Sequence, residues 1–163
     1  MVNAFAQAAV TFTSQNYGAG QKDRCKKIFR LSMLFSILFC GTLSCIFVLG
    51  RDFFLHLYTT DEAVYRFAVQ RILIVTTLEF LTSVYEISAG AMRGLGHSLL
   101  PAVITCVGSC VLRLIWIATV CRIYHTFWVL LIIYPISWVI TGVSMMTAYH
   151  FIKKRVFRKT VAV

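Results

Sequence analysis

The chain has 163 residues, with 16 Lys and Arg against 6 Asp and Glu for a net charge of +10, and it is 59% hydrophobic. With a mean hydropathy of +0.79, this composition excludes an ordinary soluble domain and indicates an all-α polytopic membrane protein. The charge does not indicate nucleic acid, because the basic residues cluster beside apolar runs and not along one soluble face.

Val2–Ser14 lacks the basic and apolar regions of a signal peptide and is too short and polar to span unaided. Asn3, Gln7 and Thr11 recur every four positions, which puts them on one helical face expected to turn toward other helices. The segment reads as the cytoplasmic half of a severed span, so the chain is expected to be the C-terminal portion of a longer protein.

A loop follows at Gln15–Arg24, where Gly18 and Gly20 can adopt positive φ and end a helix. Its glycines match neither a Walker A loop nor G-x-G-x-x-G, so it is no phosphate cradle. Four runs of spanning length come next, at about 31–50, 66–92, 99–121 and 127–149. Twenty helical residues at 1.5 Å each cover about 30 Å, the thickness of the hydrocarbon core.

Between the first two runs, Phe53, Phe54, Leu55 and Leu57 form an amphipathic stretch, and Thr59-x-x-Glu62 predicts a capping box with a helix beginning near Thr60. Arg93, Gly94 and Gly96 close the second span. Pro101 sits near the start of its run, where a helix tolerates it, whereas Pro135 lies mid-run and predicts a kink between Ile133 and Ser137 that serves packing. Trp116, Tyr124, Trp128 and Trp138 fit an interfacial aromatic belt better than a drug pocket.

With four spans, eleven basic residues fall on one side, from Lys22 and Arg24 through Arg93 to the tail at 152–163, and four on the other (Arg51, Arg66, Arg71, Arg122). The positive-inside rule makes the richer side cytoplasmic, so the C-terminus is expected on the cytoplasmic side of the plasma membrane. The tail Lys153–Lys159 is expected to fix orientation and touch anionic lipid.

The six cysteines form no CxxC pair, and the four histidines stand singly at span edges, so neither a metal site nor a structural disulfide is expected. Cys106 and Cys110 share a helix face and read as small residues packing between helices. No catalytic constellation is legible, and an enzyme is not expected.

Intramembrane carboxylates are costly and by default mark an ion pathway or a partner. Glu79 and Glu86 are seven residues apart, nearly on one helical face, with Thr76, Ser83 and Gly90 completing a polar stripe. From helical rise, Glu79 lies about 4.5 Å outside the mid-depth of its span and Glu86 about 6 Å inside it, while Arg113 lies about 4.5 Å outside that of the next span. Thr105, Ser109 and Arg113 form a second polar stripe. The matching depths predict that Arg113 pairs with Glu79 and leaves Glu86 freer to exchange a proton or attract a cation; the competing reading is that all three pair to hold helices together.

The string QNYGAGQKDR, then TTDEAV, then GAMRGLGHSLLP, in this order and spacing, resembles the second half of a MATE (multidrug and toxin extrusion) transporter. The resemblance implies a loop motif at Gln15, Asn16, Gly18, Gly20, Arg24, Arg93, Gly94 and Gly96. It also implies a six-helix lobe to which this chain contributes the end of helix eight and all of helices nine to twelve. The partners then expected are the first lobe and helix seven, membrane lipid, and small organic, cationic substrates, with Na+ or H+ as the coupling ion and no other cofactor. Two other readings remain open at this point: a flippase for lipid-linked or polysaccharide precursors, which a string of luminal cations would favour, and a small non-transporting membrane protein that binds partner helices.

Overall fold

A computed structural model describes residues 2–159, Lys159 by its backbone only; Met1 and the end of the basic tail, 160–163, lie outside the described residues. These residues form helices and connections, with no strand among them. Four of the helices are long and apolar enough to cross a membrane.

Helix α1 (Val2–Gly18) ends where the Gly20 backbone turns left-handed, at φ 72°. The Gln21 amide then donates to the Asn16 carbonyl and the Gly20 amide to that of Tyr17, a Schellman motif that satisfies two terminal carbonyls. Gly18 stays within the helix, so the single left-handed position in this loop is Gly20, the one from which the 6→1 bond can close. Helix α2 (Lys22–Leu49) follows, and α3 (Arg51–Tyr58) buries only Leu55 while Phe53 and Leu57 face outward.

Helix α4 (Glu62–Gly94) starts two residues later than the capping box predicts. The carboxylate of Asp61, not the Thr59 hydroxyl, accepts from the Ala63 amide at 2.8 Å, and Thr59 accepts instead from the Asp61 amide. An aspartate directly before the first turn is the stronger cap there, because its charge also favours the helix N-terminus. Before it, the Tyr65 hydroxyl donates to Asp52 Oδ1 at 2.7 Å and ties α3 to α4.

This bond, with Arg51 beside it, holds the Asp52 carboxyl below its ordinary value of 3.8. A depressed folded-state value contributes stability that is complete above the ordinary value and disappears as pH falls through the depressed one. The α3–α4 tether should therefore loosen on acidification below about pH 4, read as faster amide exchange across α3, and Tyr65→Phe should abolish that pH dependence.

The interior of α4 is irregular. Ile72–Thr76 forms a π turn, Leu78 leaves helical geometry at φ −100° and ψ 3°, and Glu79–Leu81 is 3₁₀. The β-branched run Ile72, Ile74, Val75, Thr76 and Thr77 is a weak helix former, which fits a break there. Helix α5 (Leu99–Ile123) carries a second π turn at Cys106–Val111, around Gly108. Helix α6 (Phe127–Lys159) continues through Pro135 as a single helix.

Packing is set by small residues. Gly90 and Gly94, a G-x-x-x-G pair on α4, bring that helix against α1: a Cβ on Gly90 would lie 2.7 Å from the Ala6 carbonyl oxygen, and one on Gly94 2.7 Å from Thr13 Cβ. Ala6, Ala9 and Thr13 form the buried face of α1. Asn3, Gln7 and Thr11 are exposed on this chain, so their face turns away from the described helices; the close contact with α4 is made by the smallest side chains, not the polar ones. The main core gathers Met92, Leu95, Met145, Tyr149, Ile152 and Val156 around the ends of α4 and α6, with Phe29 stacked on Tyr149 at 4.1 Å.

Two smaller expectations are corrected. Trp138 is buried against this chain's own helices, edge-on to Tyr134, and not set in an interfacial belt. Cys106 and Cys110 face outward, because within the π turn Gly108 is the residue that closes on Thr141 of α6. Cys106 is thereby freed to line a cavity beside Glu86.

Candidate functional site

The polar residues of α4 divide between two sides. Ser83 is fully buried and its hydroxyl hydrogen-bonds that of Ser36 on α2 at 2.9 Å, while Gly90 meets α1, so both serve helix contact. Thr76 and Glu79 line a hollow of about 160 Å³ with Cys40, Ser44 and Phe47 of α2. Glu86 instead faces a cavity of about 380 Å³ formed with Arg93, Ser98, Pro101, Thr105 and Cys106.

Glu79 and Glu86 therefore do not share one chamber, contrary to what their seven-residue spacing predicts. Each 3₁₀ residue turns the chain 120° and each α residue 100°, so three 3₁₀ residues rotate the downstream helix by about 60°. The 3₁₀ turn lies at Glu79–Leu81, between the two carboxylates.

Glu86 is half-buried, with 27% of its side chain exposed, and its Oε2 lies 3.9 Å from Arg93 Nη2, at the outer limit of an ion pair. Arg93 sits at the end of α4 and takes part in the second Schellman closure, in which the Gly96 amide donates to the Arg93 carbonyl and the His97 amide to that of Met92 around Gly96 at φ 84°. Both glycine loops thus end their helices by the same device. Thr105 comes from α5 on the far side of this cavity, so the structure brings together Glu86, Arg93 and Thr105.

Arg113 pairs with neither carboxylate among the described residues, which corrects the predicted Glu79 partnership. Its Nε and Nη2 donate to Ser137 Oγ at 3.1 and 3.0 Å, and its guanidinium lies 4.5 Å from the Tyr134 ring. Ser137 in turn donates to the Tyr134 carbonyl at 2.8 Å, so one buried hydroxyl orients both. Ser109 lies one position beyond Gly108 in the π turn and is partly buried, with no bond to Arg113.

Hydrogen bonds to a charged group are worth about 1.5–3 kcal/mol. Ser137→Ala should destabilise the intact protein by about 2 kcal/mol in thermal unfolding, while Ser109→Ala should leave the midpoint nearly unchanged.

Among the loop-motif residues, Gln15 and Asn16 supply carbonyl acceptors to the turn, and the Asn16 side chain donates back to Phe12 at 2.8 Å. Gly20 and Gly96 make the left-handed positions, Gly94 makes the contact with α1, and Arg24 is exposed. The Gly90–Gly94 contact is the feature that sequence reasoning passed over, although G-x-x-x-G within an apolar run was visible.

A family model described as MatE matches residues 1–119. Over 98 residues, 60% of the chain, the sequence is 26% identical to the probable multidrug resistance protein NorM of Thermotoga maritima. The chain spans about a fifth, 21%, of the length of that curated relative.

Proposed function

The chain belongs to the MATE family, and from that premise we propose that it forms part of a multidrug efflux transporter in which Glu86 couples cation binding to substrate export. The observation that supports this reading is a half-buried carboxylate inside a spanning helix, facing a cavity of about 380 Å³ and held among the described residues by a long, 3.9 Å contact to Arg93. A carboxylate so placed attracts a cation or a proton, because charge pairing is strongest where water is excluded.

The transported compound in this reading is an organic cation, competing with Na+ or H+ for the same charge, and transport proceeds by alternating access. Arg93 is the internal counter-ion that occupies Glu86 when neither is bound. Arg113 does not neutralise either acid, so it leaves the negative charge of the spanning segment available. The relative's printed name, a multidrug resistance protein, supports drugs as the exported compounds. The basic-rich ends, including the C-terminus, face the cytoplasm by charge asymmetry.

The intact protein, reconstituted in liposomes, should accumulate ethidium against its gradient when an outward-directed Na+ or H+ gradient is imposed, with the ion concentrated inside, because ion and drug share one site and exchange in opposite directions. Equal accumulation with no ion gradient would sink the coupled mechanism.

A further inference from the structure

At the end of the bundle where α4 passes into α5, a cavity of about 750 Å³ lies between that turn and the last turns of α6. Its wall changes character along its length: Leu100 and Phe151 supply apolar surface, and Lys154, Arg155, Arg158 and His97 supply a basic rim. Phe151 is 71% exposed and Leu100 44%, so the apolar part opens to the surroundings of the spanning helices.

The three basic side chains form no ion pair among the described residues, and the acids nearest in sequence and fold are engaged elsewhere, Asp23 with Lys26 and Glu86 with Arg93. Neighbouring cations of the same end are differently occupied: Lys153 lies over the Tyr149 ring, and Lys22 donates to the Phe157 carbonyl. Lys154, Arg155 and Arg158 are thus concentrated on one cavity with their charge unspent.

We propose that this cavity is a binding site for one anionic phospholipid, its phosphate held by Lys154, Arg155 and Arg158 and its first acyl methylenes laid on Leu100 and Phe151. The position explains why an apolar wall and a basic rim occur together: α6 changes from apolar to basic at Lys153, the boundary between hydrocarbon and headgroup. A soluble anion would use the rim and have no use for the wall. The site bridges the turn after α4 to the end of α6, so an occupied site fastens the loop that carries Gly96 to the last helix.

The test is titration of the detergent-solubilised intact protein with dioleoylphosphatidylglycerol and, separately, dioleoylphosphatidylcholine, read by native mass spectrometry. The expected result is one tightly retained phosphatidylglycerol. Each basic residue near a lipid surface contributes about fivefold in affinity, so R155Q/R158Q should weaken retention about thirtyfold. K27Q/R30Q, an equal loss of charge from exposed positions on α2, should change it little. K154Q/R158Q provides a second pair should the first unfold, as shown by its melting profile. Equal losses in the α2 and α6 variants, equal retention of phosphatidylcholine, or displacement of the lipid by glycerol 3-phosphate at matching concentration would each overturn the proposal.

Discussion

Replacing Gly90 with leucine separates α1 from α4 and unfolds the bundle at that end. The space for a side chain is absent: even a single Cβ would lie 2.7 Å from the Ala6 carbonyl oxygen, a backbone atom that cannot rotate away. Overpacking by one or two methylenes costs about 1–3 kcal/mol, so Gly90→Ala should lower stability by that amount and the four-carbon leucine side chain by more. Gly41 supplies the opposite sign. A Cβ there meets nothing within 4 Å, and Gly→Ala in a helix gains about 0.5–1 kcal/mol, so Gly41→Ala should be neutral or stabilising. Thermal unfolding of the intact protein, followed by tryptophan fluorescence, distinguishes the two; a Gly90→Ala variant as stable as Gly41→Ala would mean that α1 does not pack as described.

Glu86→Gln should sharply reduce gradient-driven export while leaving the fold intact. The substitution keeps shape and removes charge, and the carboxylate's one ionic contact among the described residues, to Arg93 at 3.9 Å, is long enough that its loss is structurally mild. Coupling free energies between two ligand sites are commonly 1–3 kcal/mol, or about 5–150-fold, and a fall of that size in ion-driven ethidium accumulation is the expected effect. Glu79→Gln should have a smaller effect, since Glu79 is exposed at a separate 160 Å³ hollow against α2. If Glu79→Gln proves the more damaging of the two, the coupling site lies on the α2 side of the helix.

The four spanning helices and the glycine turns were legible because they depend on run length and on a residue type that alone accepts positive φ. The details of the site were not. Helical rise fixes the depth of Glu79 and Arg113 but not the direction in which either side chain points, so matching depths imply a pairing that the fold does not make. The 3₁₀ turn at Glu79–Leu81 rotates Glu86 onto the α5 side, and a seven-residue spacing carries no trace of that rotation. Arg113 turns toward α6 because Ser137 offers its hydroxyl and Tyr134 a ring face there. The close contact of α1 with α4 is made by the small Ala6 and Ala9 and not by the polar Asn3, Gln7 and Thr11, since close approach depends on size and the hydropathy pattern reports polarity.

Competition at Glu86 is the central claim, and equilibrium binding tests it without the complications of reconstitution. Ethidium binding to the detergent-solubilised intact protein should weaken as Na+ or H+ concentration is raised, and in Glu86→Gln that dependence should vanish, since two ligands that share one charge exclude each other. An unchanged ion dependence in Glu86→Gln would contradict the account.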